Sequence, residues 1–97
     1  MSGYTVDYRQ LMDAAHKIQT EAEVYDKTAE TLKAAADQLA NCWEGPASRN
    51  FRNEQERAYA WFKEMAVICR DYAEKANIAA VRYHDAEEAA KAAINKS

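Results

Sequence analysis

The groups best suited to chemistry in this sequence are two cysteines, two histidines and a scatter of carboxylates, and their spacing assembles no reaction. His16 and His84 have Asp13 and Asp85 nearby, but neither has a Cys or His at i+3 or i+4, so converging metal ligands are lacking. Both read as solvated histidines on a helix face. There is no glycine-rich phosphate loop, and no Ser-His-Asp or Cys-His set can be built. The sequence therefore predicts no enzyme, no metal and no cofactor. Its candidate functional residues are of the kind that bind: Trp43 close to Gly45, and Tyr83 with Glu87. Tyr83 and Glu87 stand four apart and would share one face of a helix. An aromatic ring beside an exposed carboxylate offers a receptor one apolar anchor and one charge-assisted hydrogen bond. Spacing alone favours an ordinary packed tyrosine beside a solvated charge.

Such residues need a scaffold, and the composition supplies a helical one. Among 97 residues there are two glycines and one proline, with Gly45 and Pro46 side by side at the middle. Few places to turn, with abundant Ala, Glu, Lys, Gln and Leu, predict long helices within one domain spanning 1–97. Alternating runs of β-branched residues are absent, which excludes a sheet. The net charge of −3 is spread along the chain, so no basic cluster is available for nucleic acid. Arg49, Arg52 and Arg57 come closest, but Glu54 and Glu56 are interleaved with them and predict an ion-paired, solvated surface. Apolar runs such as Ile78-Ala79-Ala80-Val81 are far too short for stable membrane insertion. Met1 to Arg9 holds no apolar stretch after a basic start, so no Sec-type leader is visible and export would need another route.

Two apolar stripes organise the chain. Leu11, Ala15, Ile18, Ala22, Tyr25, Ala29, Leu32, Ala36, Leu39 and Trp43 follow one another in alternating steps of four and three. That is the heptad spacing of a helix packed at a shallow angle on a neighbour. The pattern resumes at Phe51 and runs through Gln55, Ala58, Phe62, Met65, Cys69, Tyr72, Ala76, Ala79, Tyr83, Ala86, Ala90 and Ala93, with Trp61 and Ile68 widening the face. Between the stripes, Gly45 can take the left-handed conformation that commonly ends a helix, and Pro46 suits the first turn of the next. The expected fold is all-α: a two-helix antiparallel hairpin turning at Trp43-Glu44-Gly45. Helix one would cover about 6–43, the turn 44–46 and helix two about 47–92, with a frayed tail and with Thr5 or Asp7 as the opening cap. Each helix would have about 35–45 residues and reach roughly 50–65 Å.

Two helices side by side enclose little interior, and the wide face suits a second hairpin. The expected core of hairpin and dimer comprises Leu11, Ile18, Tyr25, Leu32, Leu39, Phe51, Trp61, Phe62, Met65, Ile68 and Tyr72. A homodimer forming a four-helix bundle is preferred, with a heterodimer as the alternative. Cys42 and Cys69 cannot pair within one hairpin, because their levels differ by roughly 30 Å. Cys69 reads as a small core residue and Cys42 as partly exposed.

Trp43-Glu44-Gly45 at the centre of a helical hairpin of this length resembles the WXG-motif proteins, the early-secreted-antigen-like substrates of type VII (ESX) secretion. Ala47 and Phe51 fall where that family continues its pattern, and Tyr83-His84-Asp85-Ala86-Glu87 fits its Tyr-x-x-x-Asp/Glu export signal. The resemblance covers essentially the whole chain. It implies a dimer, either homodimer or heterodimer with a sister WXG protein, exported folded and leaderless after cytoplasmic synthesis. It further implies recognition by a membrane ATPase of the FtsK/SpoIIIE type. The signal would be composite, with Trp43 and Gly45 of one partner beside Tyr83 and Glu87 of the other. The rival expectation is an intracellular helical adaptor or scaffold whose W-x-G is only a well-made turn.

Overall fold

The computed structural model describes residues 7–96, which form two helices, α1 (Tyr8–Asn41) and α2 (Pro46–Lys96), folded back as an antiparallel hairpin. The rod measures 79 × 23 × 16 Å. Asp7 caps α1: its carboxylate accepts from the Arg9 amide at 2.9 Å and its carbonyl from the Leu11 amide at 3.2 Å. Thr5, the other candidate cap, lies outside the described residues. α2 has 51 residues against 34 for α1, and it runs on to Lys96, beyond the residue 92 at which the sequence suggested a frayed tail.

Alanine makes the contact between the helices. Ala15, Ala22, Ala29 and Ala36 of α1 are buried at intervals of seven, and so are Ala66, Ala73 and Ala80 of α2. Small side chains let the two backbones approach closely, and no large side chain among the described residues is fully buried. In α1 the seam keeps the alanines of the predicted stripe, while Leu32 and Leu39, expected in the core, lie exposed beside it. In α2 it drifts by one residue: Ala73, Ala80 and half-buried His84 turn inward where Tyr72, Ala79 and Tyr83 were expected. The reason is geometric. Close approach of the two backbones selects the alanine at each of these turns and leaves the bulkier neighbour beside it outside the seam. His84 is accordingly not the solvated histidine that its neighbours in sequence suggested.

The rod has two unlike edges. By helical periodicity, Tyr25, Leu32 and Leu39 of α1 and Trp61, Met65, Ile68, Tyr72 and Tyr83 of α2 flank the seam on one side. There the Tyr25 ring meets Trp61 at 6.1 Å and Phe62 at 6.2 Å. Much of this edge is open on a single chain: Leu32 is 39% exposed, Leu39 46%, Trp61 50% and Tyr72 59%. Leu11, Ile18, Phe51 and Phe62 are half-buried.

The other edge carries a polar ladder. Asp26 pairs with Arg70 and with Lys63 at 3.4 Å; Glu30 pairs with Lys63 at 3.0 Å and accepts from the Tyr59 hydroxyl at 2.6 Å. Lys33 and Lys63 lie over the Tyr59 ring at 5.4 and 5.5 Å. These contacts fix the register between the helices. The hydrogen bond from Arg70, then the charges of Arg70 and Lys63, hold the Asp26 carboxyl below its ordinary value against the opposing effect of burial. The Tyr59 hydroxyl and Lys63 do the same for Glu30, while Glu30 raises Lys63 and Tyr59.

A carboxylate with a depressed folded-state pKa gives stability that is complete above its unfolded pKa and disappears as pH falls through the folded one. The wild-type chain is therefore expected to melt progressively lower between about pH 5 and pH 3. Asp26→Asn should melt below wild type at neutral pH, and the gap should narrow on acidification. Thermal melts followed by circular dichroism check this, and a gap that stays constant across that range would contradict the ladder's role.

Candidate functional site

The turn is built from the end of one helix and the start of the next. α1 closes before the glycine: the Cys42 amide donates to the Leu39 carbonyl at 3.2 Å and the Trp43 amide to Ala40 at 3.3 Å. The Cys42 thiol also donates to the carbonyls of Gln38 and Leu39. Gly45 has φ +104°, and its carbonyl accepts from the amides of Ser48 and Arg49 at 3.1 and 3.4 Å. The glycine thus opens α2 rather than closing α1, and Pro46 follows as the first helical residue, where its missing N–H costs nothing. Half-buried Trp43 lies across this turn against Phe51, with ring centroids 5.5 Å apart. Ser48, buried to 4% exposure, and Arg52, whose guanidinium donates to the Ala40 carbonyl at 3.3 Å, complete the junction. Arg52 thus neutralises the carbonyl end of α1, a role its place in a basic cluster did not reveal.

Beside the turn the helices part into an open groove of about 710 Å³, with Ala36, Ala40 and Phe51 at its walls and Gln55 within it. The Gln55 amide nitrogen is buried with no hydrogen-bond partner among the described residues. Sequence periodicity had marked Gln55 as the one polar residue on its stripe.

At the far end of the rod, Tyr8 lies at the level of His84, with the rings 4.3 Å apart. Residues 85–96 extend beyond Tyr8 and are exposed throughout. At helical rise this projecting segment is about 18 Å long. Tyr83 (46% exposed) and exposed Glu87 straddle its root on one face. Tyr83 continues the apolar edge of Trp61 and Tyr72. Within one chain Trp43 and Tyr83 stand at opposite ends, roughly 55–60 Å apart at helical rise. Trp43 and Tyr83 of one chain are therefore too far apart to touch.

Met12, Ile78 and Val81 form a smaller exposed apolar group on the opposite edge near the chain ends, which the stripes did not foretell. Cys69 is half-buried and Cys42 exposed. Among the described residues no three His, Cys, Asp or Glu side chains converge as a metal ion would require. No helix among them is long and apolar enough to cross a membrane.

Residues 3–88 match the model of the WXG100 family, described as proteins of 100 residues with WXG. The chain belongs to this family. WXG100 membership associates it with type VII secretion, and the match runs through both helices and the Trp43-Glu44-Gly45 turn. Comparison with curated proteins and with solved structures gives no match.

A Cβ on Gly45 would meet nothing within 4 Å, so a substitution there tests backbone conformation alone. Gly45→Ala is expected to lower stability by about 1–2 kcal/mol in urea unfolding, with helical content unchanged. Wild-type stability in that variant would show that the WXG turn does not depend on its positive φ.

Proposed function

We propose that this WXG100 chain is a secreted substrate or partner protein of a type VII system, acting by binding as an antiparallel dimer of hairpins. The exposed apolar edge is the dimer surface, and the copies pack through Leu32, Leu39, Trp61, Met65, Ile68 and Tyr72 into a four-helix bundle. In that arrangement the turn of one copy lies beside the chain ends of the other. Trp43 and Gly45 of one subunit then join Tyr83 and Glu87 of its partner in a composite export signal, one at each end. An FtsK/SpoIIIE-type secretion ATPase reads that signal and exports the folded dimer without a cleaved leader.

The observation that carries the reading is the placement of Tyr83 and Glu87, exposed on one face at the root of a projecting helix and far from Trp43 of the same chain. A side chain that only filled the seam would point the other way, as His84 does. The ring provides the apolar anchor and the carboxylate the charge-assisted hydrogen bond that a receptor can use. A second copy is the simplest means of bringing the two halves together.

Tyr83→Ala or Glu87→Ala is expected to abolish the appearance of intact protein in culture supernatant, measured against a cytosolic marker. Circular dichroism and sedimentation of the purified variants should match wild type. Export of both variants at wild-type levels would overturn the signal assignment, and wild-type protein confined to the cell would favour an intracellular adaptor.

A further inference from the structure

We propose that the groove beside the turn receives the projecting end of α2 from a second copy of this chain, so that hairpins join end to turn. Lys33 and Tyr59 line the groove, which places it on the edge of the polar ladder. It is therefore separate from the apolar edge assigned to the dimer, and the contact stands whether or not that dimer forms. Ala36 and Ala40 of α1 and the Phe51 ring of α2 supply its apolar surface. Its lining residues on α2, from Phe51 to Tyr59, lie between about 8 and 20 Å from Pro46 at helical rise.

Length, shape and polarity all indicate the occupant. Residues 85–96 are exposed throughout and, at roughly 18 Å, reach from the turn to the inner end of the groove. Ala86, Ala89, Ala90 and Ala93 share one face of that segment. Such a face is narrow enough to settle between two helices, as alanine does in the seam. Within the groove the Gln55 amide nitrogen is a donor, enclosed and without a partner among the described residues. α2 closes at Lys96, and a carbonyl in a closing turn, such as that of Asn95, has no amide of its own helix to accept from. With Asp85 set at the level of the turn, Asn95 comes within about 2 Å of the level of Gln55. Lys33 lies at a similar depth and suits the negative end of the incoming helix.

The charges follow the same order. Asp85 and Glu87 come near the levels of Arg49 and Arg52, and Lys96 near that of Glu56. On the rim, Lys33 and Arg52 balance Asp37 and Glu56, which suits a segment of mixed charge and gives no preference for a polyanion. Each copy holds its groove at one tip and its projecting segment at the other. The contact is thus heterologous and extends into a line of hairpins rather than closing. One short helix in one groove is a small interface, so the joining is reversible and belongs to high concentration.

Nitrogen–proton correlation spectra of the intact chain, taken from micromolar to millimolar concentration, test this directly. The Gln55 side-chain amide and the backbone amides of residues 51–59 and 86–96 are expected to shift together, while those around Asp26 and Arg70 stay in place. Sedimentation of the same samples should show the average mass rising about twofold over that range. Ala90→Arg lies beyond the hairpin contact, so its mid-rod signals should match wild type, and its shifts and mass should not change with concentration. Wild-type spectra independent of concentration would overturn the proposal. So would shifts in 86–96 without Gln55, or shifts that persist in Ala90→Arg. A chain that starts as a monomer at the low end would count against the dimer alone, because the same shifts would still report this contact.

Discussion

Alanine against alanine is the contact on which the rest of this molecule depends. Each seam alanine buries little more than a methyl group, worth about 0.8 kcal/mol, where a fully buried Leu or Phe contributes about 1.5–3 kcal/mol. What the small residue gains is proximity: two long helices run side by side with no large side chain fully buried between them among the described residues. The cost is that the larger apolar residues are pushed out of the seam. Trp61, Tyr72, Leu32 and Leu39 gather along one edge, while Asp26, Glu30, Tyr59, Lys63 and Arg70 lock the other. A thin seam thus leaves the larger apolar side chains among the described residues partly in water along the rod.

The same geometry separates the two candidate recognition motifs. A hairpin without a globular core must be long, and its turn and chain ends lie at opposite tips. Trp43, held across the turn against Phe51, and Tyr83, at the root of the projecting helix, cannot meet within one chain. Any recognition that uses both draws them from two chains, so association and recognition become one event. Exposed Glu87 adds charge to that tip, and half-buried His84, one residue from Tyr83, ties the tip to the start of α1.

The hairpin was legible because its determinants are local. Gly45-Pro46 is the only adjoining pair of helix breakers, and the alanine heptads of α1 are visible by eye. The seam of α2 was less legible. Apolar residues occur on two adjoining faces of that helix, and sequence cannot tell a seam of Ala73 and Ala80 from a flank of Tyr72 and Ala79. Size would normally place the tyrosine inside. Here close approach selects the alanine and turns Tyr72 and Tyr83 outward. His84 was misplaced for the same reason, its role depending on a partner at the other end of the sequence, Tyr8. Arg52 was hidden likewise, because the carbonyl it caps belongs to α1. The Tyr83–Glu87 pairing, by contrast, needs only helical periodicity and was plain from spacing.

The central claim is that the open edge of the rod is an interface. Sedimentation equilibrium at micromolar concentration tests it most directly. The account predicts a folded species of twice the 11.0 kDa chain mass. A cooperatively folded species at the mass of one chain, with Trp61 and Tyr72 left in water, would contradict it.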